Sequence, residues 1–135
     1  GRFQQVIGDR GPGEAEEIKR VVFCSGKVYY DLAEKRDAEN VREVAVMRVE
    51  QLYPFPEADL RGFVEEFPNA TEVVWCQEEP QNQGAWYQSR HHLAACISRG
   101  QELRYVGRPH SASPAVGYYT VHLEEQQALV NEAIL

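Results

Sequence analysis

The chain has 135 residues, of which 43 % are hydrophobic and 26 % charged, with a formal net charge of −7. That length suits a single domain burying ~65–70 % of the unfolded chain's surface, and the composition is globular rather than disordered or fibrous. The acidic balance repels phosphate backbones and anionic lipid, no apolar run approaches the ~20 residues needed to span a bilayer, and no basic-then-apolar leader is visible, so no nucleic acid, no membrane and no secretion are expected.

The opening Gly1-Arg2-Phe3 lacks an initiator methionine, and the chain is expected to be a piece of something longer, although a processed or tagged N-terminus would look the same. Residues Phe3–Ile7 read as a leading segment, and Gly8–Glu17, rich in Gly, Pro and Glu, reads as a solvated linker. The expected division is therefore 1–18 as leading segment and flexible linker and 19–135 as the domain.

Val21–Cys24, Val44–Val49 and Val73–Cys76 are short, continuous apolar runs rich in β-branched residues, which predicts strands covered on both faces. Leu103–Gly107 is a weaker fourth strand that carries Arg104. Between them the period becomes helical. Val28, Tyr29, Leu32 and Ala33 form one stripe, and Leu60, Phe63, Val64 and Phe67 form another, begun by Pro56 with Glu57 and Asp59 at the positive helix end. Trp86–Ile97 aligns Trp86, Leu93 and Ile97, and the last helix, about Tyr118–Ile134, aligns Leu123, Val130 and Ile134. Strand and helix alternate four times, which predicts a three-layer α/β fold: a largely parallel sheet with right-handed crossovers and helices on both faces.

In such sheets ligands gather at the carboxyl ends of the strands, beside helix N-termini. Ser25-Gly26-Lys27 follows the first strand and offers a hydroxyl, a glycine and an ammonium, suited either to a plain helix cap or to an anion; the spaced glycines of a nucleotide phosphate loop are missing. Gln77–Trp86 follows the third strand. Its adjacent Glu78 and Glu79 point to opposite faces in extended chain, which argues against a shared catalytic proton. Arg108–Gly117 follows the fourth strand. Arg104 and Arg108 share a strand face ~13 Å apart, a spacing suited to two ends of an extended polyphosphate or to two separate salt bridges to neighbouring domains. After Arg108 the sequence contains no further lysine or arginine.

His91 and His92 are consecutive and should diverge by ~100° on a helix, unlike a chelating i, i+4 pair. Cys24, Cys76 and Cys96 have no metal-ligand spacing and read as buried reduced thiols. No nucleophile elbow is present, so no catalytic residue and no metal site are expected.

Several ordered motifs carry a resemblance. Val49–Pro56, and Glu78-Glu79-Pro80 followed by Gly84-Ala85-Trp86, resemble the C-terminal domain of the transketolase-like thiamine diphosphate enzymes. Cys24–Tyr30, Trp75–Pro80, Asn82–Trp86, Tyr105–Pro109 and Ser111–Gly117 are similar to the bacterial 2-oxoglutarate dehydrogenase decarboxylating component, and the likeness runs from about residue 19 to the end. The resemblance implies a cytoplasmic, homodimeric oxidoreductase of the tricarboxylic acid cycle. In the full-length enzyme, thiamine diphosphate and magnesium would be bound by other domains, with none expected in this chain. The implied partners are the enzyme's own preceding domains, its second subunit and the dihydrolipoyl succinyltransferase core that receives the succinyl group. This last domain is then an assembly and regulatory piece, inactive alone, with acetyl-CoA or AMP as the implied effector. Ser25, Lys27, Arg104, Arg108, Ser111 and Ser113 form the expected nucleotide-binding edge, and Tyr53, Trp86 and Tyr87 the expected interface. The alternatives are a free-standing nucleotide- or CoA-binding module and the same domain of a 2-oxoadipate dehydrogenase.

Overall fold

A computed structural model describes residues 6–108 and 119–135. In chain order its elements are β1 (Val6–Asp9), a 3-10 turn (Ala15–Glu17), β2 (Arg20–Cys24), α1 (Val28–Ala38), β3 (Val44–Val49), α2 (Glu57–Glu65), β4 (Glu72–Pro80), α3 (Trp86–Ala95), β5 (Glu102–Arg108) and α4 (Tyr119–Ile134). The sheet order is β1-β3-β2-β4-β5. All neighbours pair in parallel except β1, which runs antiparallel to β3. The four predicted strands and four predicted helices are all present, and the fold is the expected α/β architecture.

Strand periodicity divides the core into two layers. Val21, Phe23, Ala45, Met47, Val73 and Trp75 face α2 and α3 on one side. Val22, Cys24, Val44, Val46, Val74, Cys76 and Val106 face α1 and α4 on the other. Because both faces are covered, the strands carry apolar residues at every position, which is why they read as continuous runs. Cys24 and Cys76 are direct neighbours across β2 and β4, and all three cysteines are free and buried. Burial pushes the Cys76 thiol up to about 12 and Cys96 up to about 11; burial, with Cys76 alongside, raises Cys24 further still. None is a ready nucleophile at neutral pH.

Residues 6–17 differ from the expected leading segment and linker. Val6–Asp9 extends the sheet, with Val6 opposite Val49 and Asp9 opposite Val46. A nearly inaccessible guanidinium holds the end of this strand. Arg36 Nη2 donates to Asp9 Oδ2 at 2.7 Å and Nη1 donates to the Asp9 carbonyl at 3.0 Å, while Tyr29 Oη donates to Oδ2 at 3.1 Å. Burial alone would raise the Asp9 carboxyl, but the Arg36, Gly11 and Tyr29 contacts outweigh it and hold the carboxyl below its ordinary value. Further along, Arg42 pairs with Glu17 and the Asn69 amide donates to the Glu16 carbonyl. A four-residue strand containing Gly8 and Asp9 has weak β propensity, so composition alone reads it as linker. The available signal was Arg36, which follows Val28 and Leu32 at i+4 steps on the buried face of α1 and therefore requires an ionic partner.

The last helix also departs from its expected stripe. Leu129, Val130, Ala133 and Ile134 are buried, whereas Leu123 is exposed and lines a groove between α1 and α4.

Candidate functional site: the carboxyl edge of the sheet

β2 leads through Ser25–Lys27 to α1 on one face, whereas β4 leads through residues 81–85 to α3 on the other. Its C-terminal end is therefore a topological switch point between β2 and β4, where loops diverge and a crevice opens. Two cavities lie there. One, of about 170 Å³, is lined by Ser25, Leu52, Trp75, Gln77, Glu79 and Gly84 among others. The other, of about 230 Å³, includes Lys27, Glu78, Glu79, Arg108, His122 and Gln126 in its wall. Larger grooves lie between α1 and α4, where Gln126 is shared with the second cavity, and at the opposite end of the sheet.

Gln77 shapes the crevice. It is 2 % exposed, and its Oε1 accepts from Trp75 Nε1 at 2.9 Å and from the Trp86 backbone N–H at 3.2 Å. Its Nε2 lies within hydrogen-bond distance of the Glu79, Pro80 and Gln83 carbonyls, at 3.2, 3.0 and 2.8 Å. One side chain thus satisfies the polar groups of an irregular loop that breaks the register of β4 and β5 between Gln77 and Pro80. Two glycines permit the close packing. Gly84 has φ +66° against the Gln77 amide, and a Cβ at Gly107 would lie 2.6 Å from the Gln77 carbonyl.

The structure divides the expected nucleotide edge. Lys27 and Arg108 line the same cavity, and Ser25 lines the adjoining one. Ser25 does not cap α1: the helix begins at Val28, with Lys27 in the cap position and no side-chain cap bond. Arg104 does not join them. Its Nε contacts Glu72 Oε1 at 2.6 Å and its Nη1 contacts Glu132 Oε1 at 3.2 Å, while Arg20 takes the other Glu72 oxygen at 3.0 Å. Those partners sit toward the amino end of the sheet, so Arg104 ties α4 to β4 and β5. Of the two earlier readings of Arg104 and Arg108, separate salt bridges describe Arg104, and the bridges are within this chain. Ser111 and Ser113 lie outside the described residues.

Arg108 is 5 % exposed. Its Nη1 pairs with Glu125 Oε2 at 2.9 Å and its Nη2 donates to Gln126 Oε1 at 3.3 Å. Nε is enclosed and has no hydrogen-bond partner among the described residues. Gln126 in turn donates to Glu78 at 2.9 Å and Asp31 at 3.1 Å. The cavity therefore mixes cations with carboxylates, and an anion entering it must compete with Glu125 and tolerate Glu78 and Glu79.

The expected interface residues also separate. Tyr53 is 93 % exposed on the β3–α2 loop and Tyr87 is 43 % exposed on α3. Trp86 is buried, packed in the core with its ring 5.4 Å from that of Tyr105. As the first residue of α3 it points back under the loop, so it supports that surface rather than presenting it.

Sequence reasoning did not single out Glu125, Gln126 or Gln77, because isolated polar residues in a helix or strand carry no motif. It also missed how the two histidines lie. Their rings come within 3.9 Å, with His92 contacting Glu57 and stacking on Phe55 at 4.9 Å. Among the described residues no group of three His, Cys, Asp or Glu side chains is able to hold a metal ion. The described residues do not fit thiamine diphosphate with magnesium, which requires an oxygen-ligand cluster beside a diphosphate cradle. None of their helices is long and apolar enough to cross a membrane.

A family model described as 2-oxoglutarate dehydrogenase C-terminal matches residues 1–134. The chain is 52 % identical over 134 residues to the 2-oxoglutarate dehydrogenase E1 component of Haemophilus influenzae, covering 99 % of this chain and 14 % of that protein. It is 52 % identical over 133 residues to the Cupriavidus necator protein of the same name, with 98 % and 14 % covered, and 46 % identical over 136 residues to that of Azotobacter vinelandii, also with 98 % and 14 % covered. The chain thus spans about 14 % of the length of these relatives. With the α/β fold and the ordered loop motifs, these matches establish that the chain belongs to the 2-oxoglutarate dehydrogenase C-terminal family.

Proposed function

We propose that this chain serves as the C-terminal assembly and regulatory domain of a bacterial 2-oxoglutarate dehydrogenase and performs no chemistry by itself. The observation that carries the reading is the family match over residues 1–134, at 52 % identity to relatives of that activity. In the full-length enzyme, thiamine diphosphate and magnesium on other domains supply the decarboxylation of 2-oxoglutarate, and the succinyl group passes to lipoyl groups of the succinyltransferase core in the cytoplasm. This domain packs against the preceding domains and the second subunit of a homodimer. Tyr53 and Tyr87 are the proposed contact residues, supported by their exposure beside the switch point. The cleft of Lys27 and Arg108 takes the phosphates of a regulatory nucleotide, AMP or acetyl-CoA, with Ser25 at its margin. A cation pair at a switch point supports that assignment.

Domain exchange tests the reading. A Haemophilus influenzae E1 component whose matching C-terminal region is replaced by this chain should assemble and reduce ferricyanide with 2-oxoglutarate, thiamine diphosphate and magnesium. The chain alone should give no turnover and no calorimetric signal with thiamine diphosphate. Loss of assembly in the exchanged enzyme, or saturable micromolar cofactor binding by the chain alone, would overturn it.

A further inference from the structure

We infer that Glu125 is a resident counter-anion of the Arg108 cleft, a latch that holds the proximal half of α4 against the end of β5 and competes with any phosphate for the same guanidinium. The inference rests on the proposed reading of that cleft as an anion site and adds how the site is regulated.

The bonding of Arg108 carries it. A guanidinium offers five N–H donors in a planar fork that suits a bidentate oxyanion. Here one carboxylate oxygen of Glu125 meets Nη1, an amide oxygen meets Nη2, and Nε is enclosed without a partner among the described residues. The head group is buried yet under-bonded. In the same cavity wall, Lys27 makes no ion pair among the described residues. A phosphate oxygen that displaces Glu125 from Nη1 would add the Lys27 charge in the same cavity wall, which Glu125 does not pair with in this arrangement.

Unequal exposure decides which partner yields. The Arg108 side chain is 5 % exposed and that of Glu125 34 %. Arg108 is enclosed and also bonded to Gln126, whereas the partly exposed Glu125 rehydrates on release. Gln126 stays engaged, since its amide donates to Glu78 on β4 and Asp31 on α1. Leu129, Val130, Ala133 and Ile134 keep the distal half of α4 in the core. Release of Glu125 therefore loosens only the proximal half of the helix, and occupancy of the cleft is transmitted there. Arg104 provides the contrast, with two carboxylates already on its guanidinium.

The test uses the full-length enzyme chain that carries this domain, with AMP and inorganic pyrophosphate as probes in calorimetry. Glu125→Gln keeps the shape and removes the charge, and should lower the Kd for AMP about 5- to 20-fold. Lys27→Ala should raise it by a comparable factor. Amide exchange over residues 122–127 should rise when AMP binds the wild type and should already be raised in Glu125→Gln. AMP binding to the wild type with an unchanged or higher Kd in a folded Glu125→Gln would overturn the latch while leaving the cleft reading intact. A Glu125→Gln chain that no longer folds would overturn it too, since a displaceable contact is not indispensable to folding. No binding of either probe to wild type or variant would remove the cleft reading, and the latch with it.

Discussion

Arg104 and Arg108 stand on the same face of β5, two pleat repeats apart, and the molecule treats them differently. At the inner position Arg104 lies between Glu72 and Glu132, and Arg20 completes the group by contacting Glu72 and donating to the Ala133 carbonyl at 2.9 Å. This network fastens α4 to the sheet. At the outer position Arg108 is more deeply buried, meets one carboxylate instead of two, keeps an enclosed Nε without a partner among the described residues, and borders a cleft with Lys27. Identical side chains on one strand thus meet different surroundings according to the carboxylates that the neighbouring elements bring. Sequence spacing alone treats them as equals.

The strongest way to break the comparison is to remove the scaffold of the outer end. Gln77→Ala strips an acceptor from Trp75 Nε1 and the Trp86 N–H, and a donor from the carbonyls of the β4–α3 loop. Leaving these groups unsatisfied in the interior should cost about 3–4 kcal/mol in urea unfolding. A loss below ~1 kcal/mol would mean that the loop repacks and that Gln77 does not set the crevice.

A direct comparison follows from paired substitutions. Arg108→Ala should weaken AMP binding by about 2–3 kcal/mol, roughly 30- to 150-fold. Arg104→Ala should leave the AMP affinity unchanged and lower stability by ~1–2 kcal/mol. Equal effects on affinity, or a stability loss at both positions with no affinity change, would erase the distinction.

The inner network also predicts a pH dependence. Burial alone would raise the Glu72 carboxyl, but hydrogen bonds and charge from Arg104 and Arg20 prevail and hold it below its ordinary value. A depressed folded pKa contributes stability above the unfolded value, which is lost as the pH falls through the folded one. Between about pH 5 and 3 the wild type should therefore lose stability more steeply than Glu72→Gln, by ~1 kcal/mol for a partly exposed group. Parallel melting curves across that range check it.

The smallest effect is expected far from both ends. The Arg42 hydrogen bond, followed by the Glu14 N–H, lowers the Glu17 carboxyl to about 2. Both partners are nevertheless well exposed. Water and salt screen such a pair, so Glu17→Gln should shift Tm by no more than ~1 °C. A larger shift would indicate that the 3-10 turn is more firmly seated than its exposure implies.

Much of the fold was legible because burial on both faces imposes a local pattern. Val21–Cys24, Val44–Val49 and Val73–Cys76 required continuous apolar runs, and Leu60, Phe63, Val64 and Phe67 required helical spacing. The candidate site was legible only in part. Lys27 and Arg108, singled out near strand ends, do line one cavity, but Arg104 shared their chemistry without their position. Trp86 looked like a surface aromatic beside a polar loop, while its place at the start of α3 turns it into the core. Strand β1 was lost because its hydrogen bonds go to β3 and its ionic anchor is Arg36 on α1.

The sequence by itself determined the alternation of strands and helices, the parallel core and the family, since these rest on local periodicity and on ordered motifs. Only the tertiary structure decided which charges are available. Whether an arginine is available depends on carboxylates distant along the chain: Glu72 and Glu132 reach Arg104, whereas Glu125 alone among carboxylates pairs with Arg108 in the described structure. Ion pairing is a matter of distance in space and of shared desolvation, and neither is encoded in the spacing of residues along one strand.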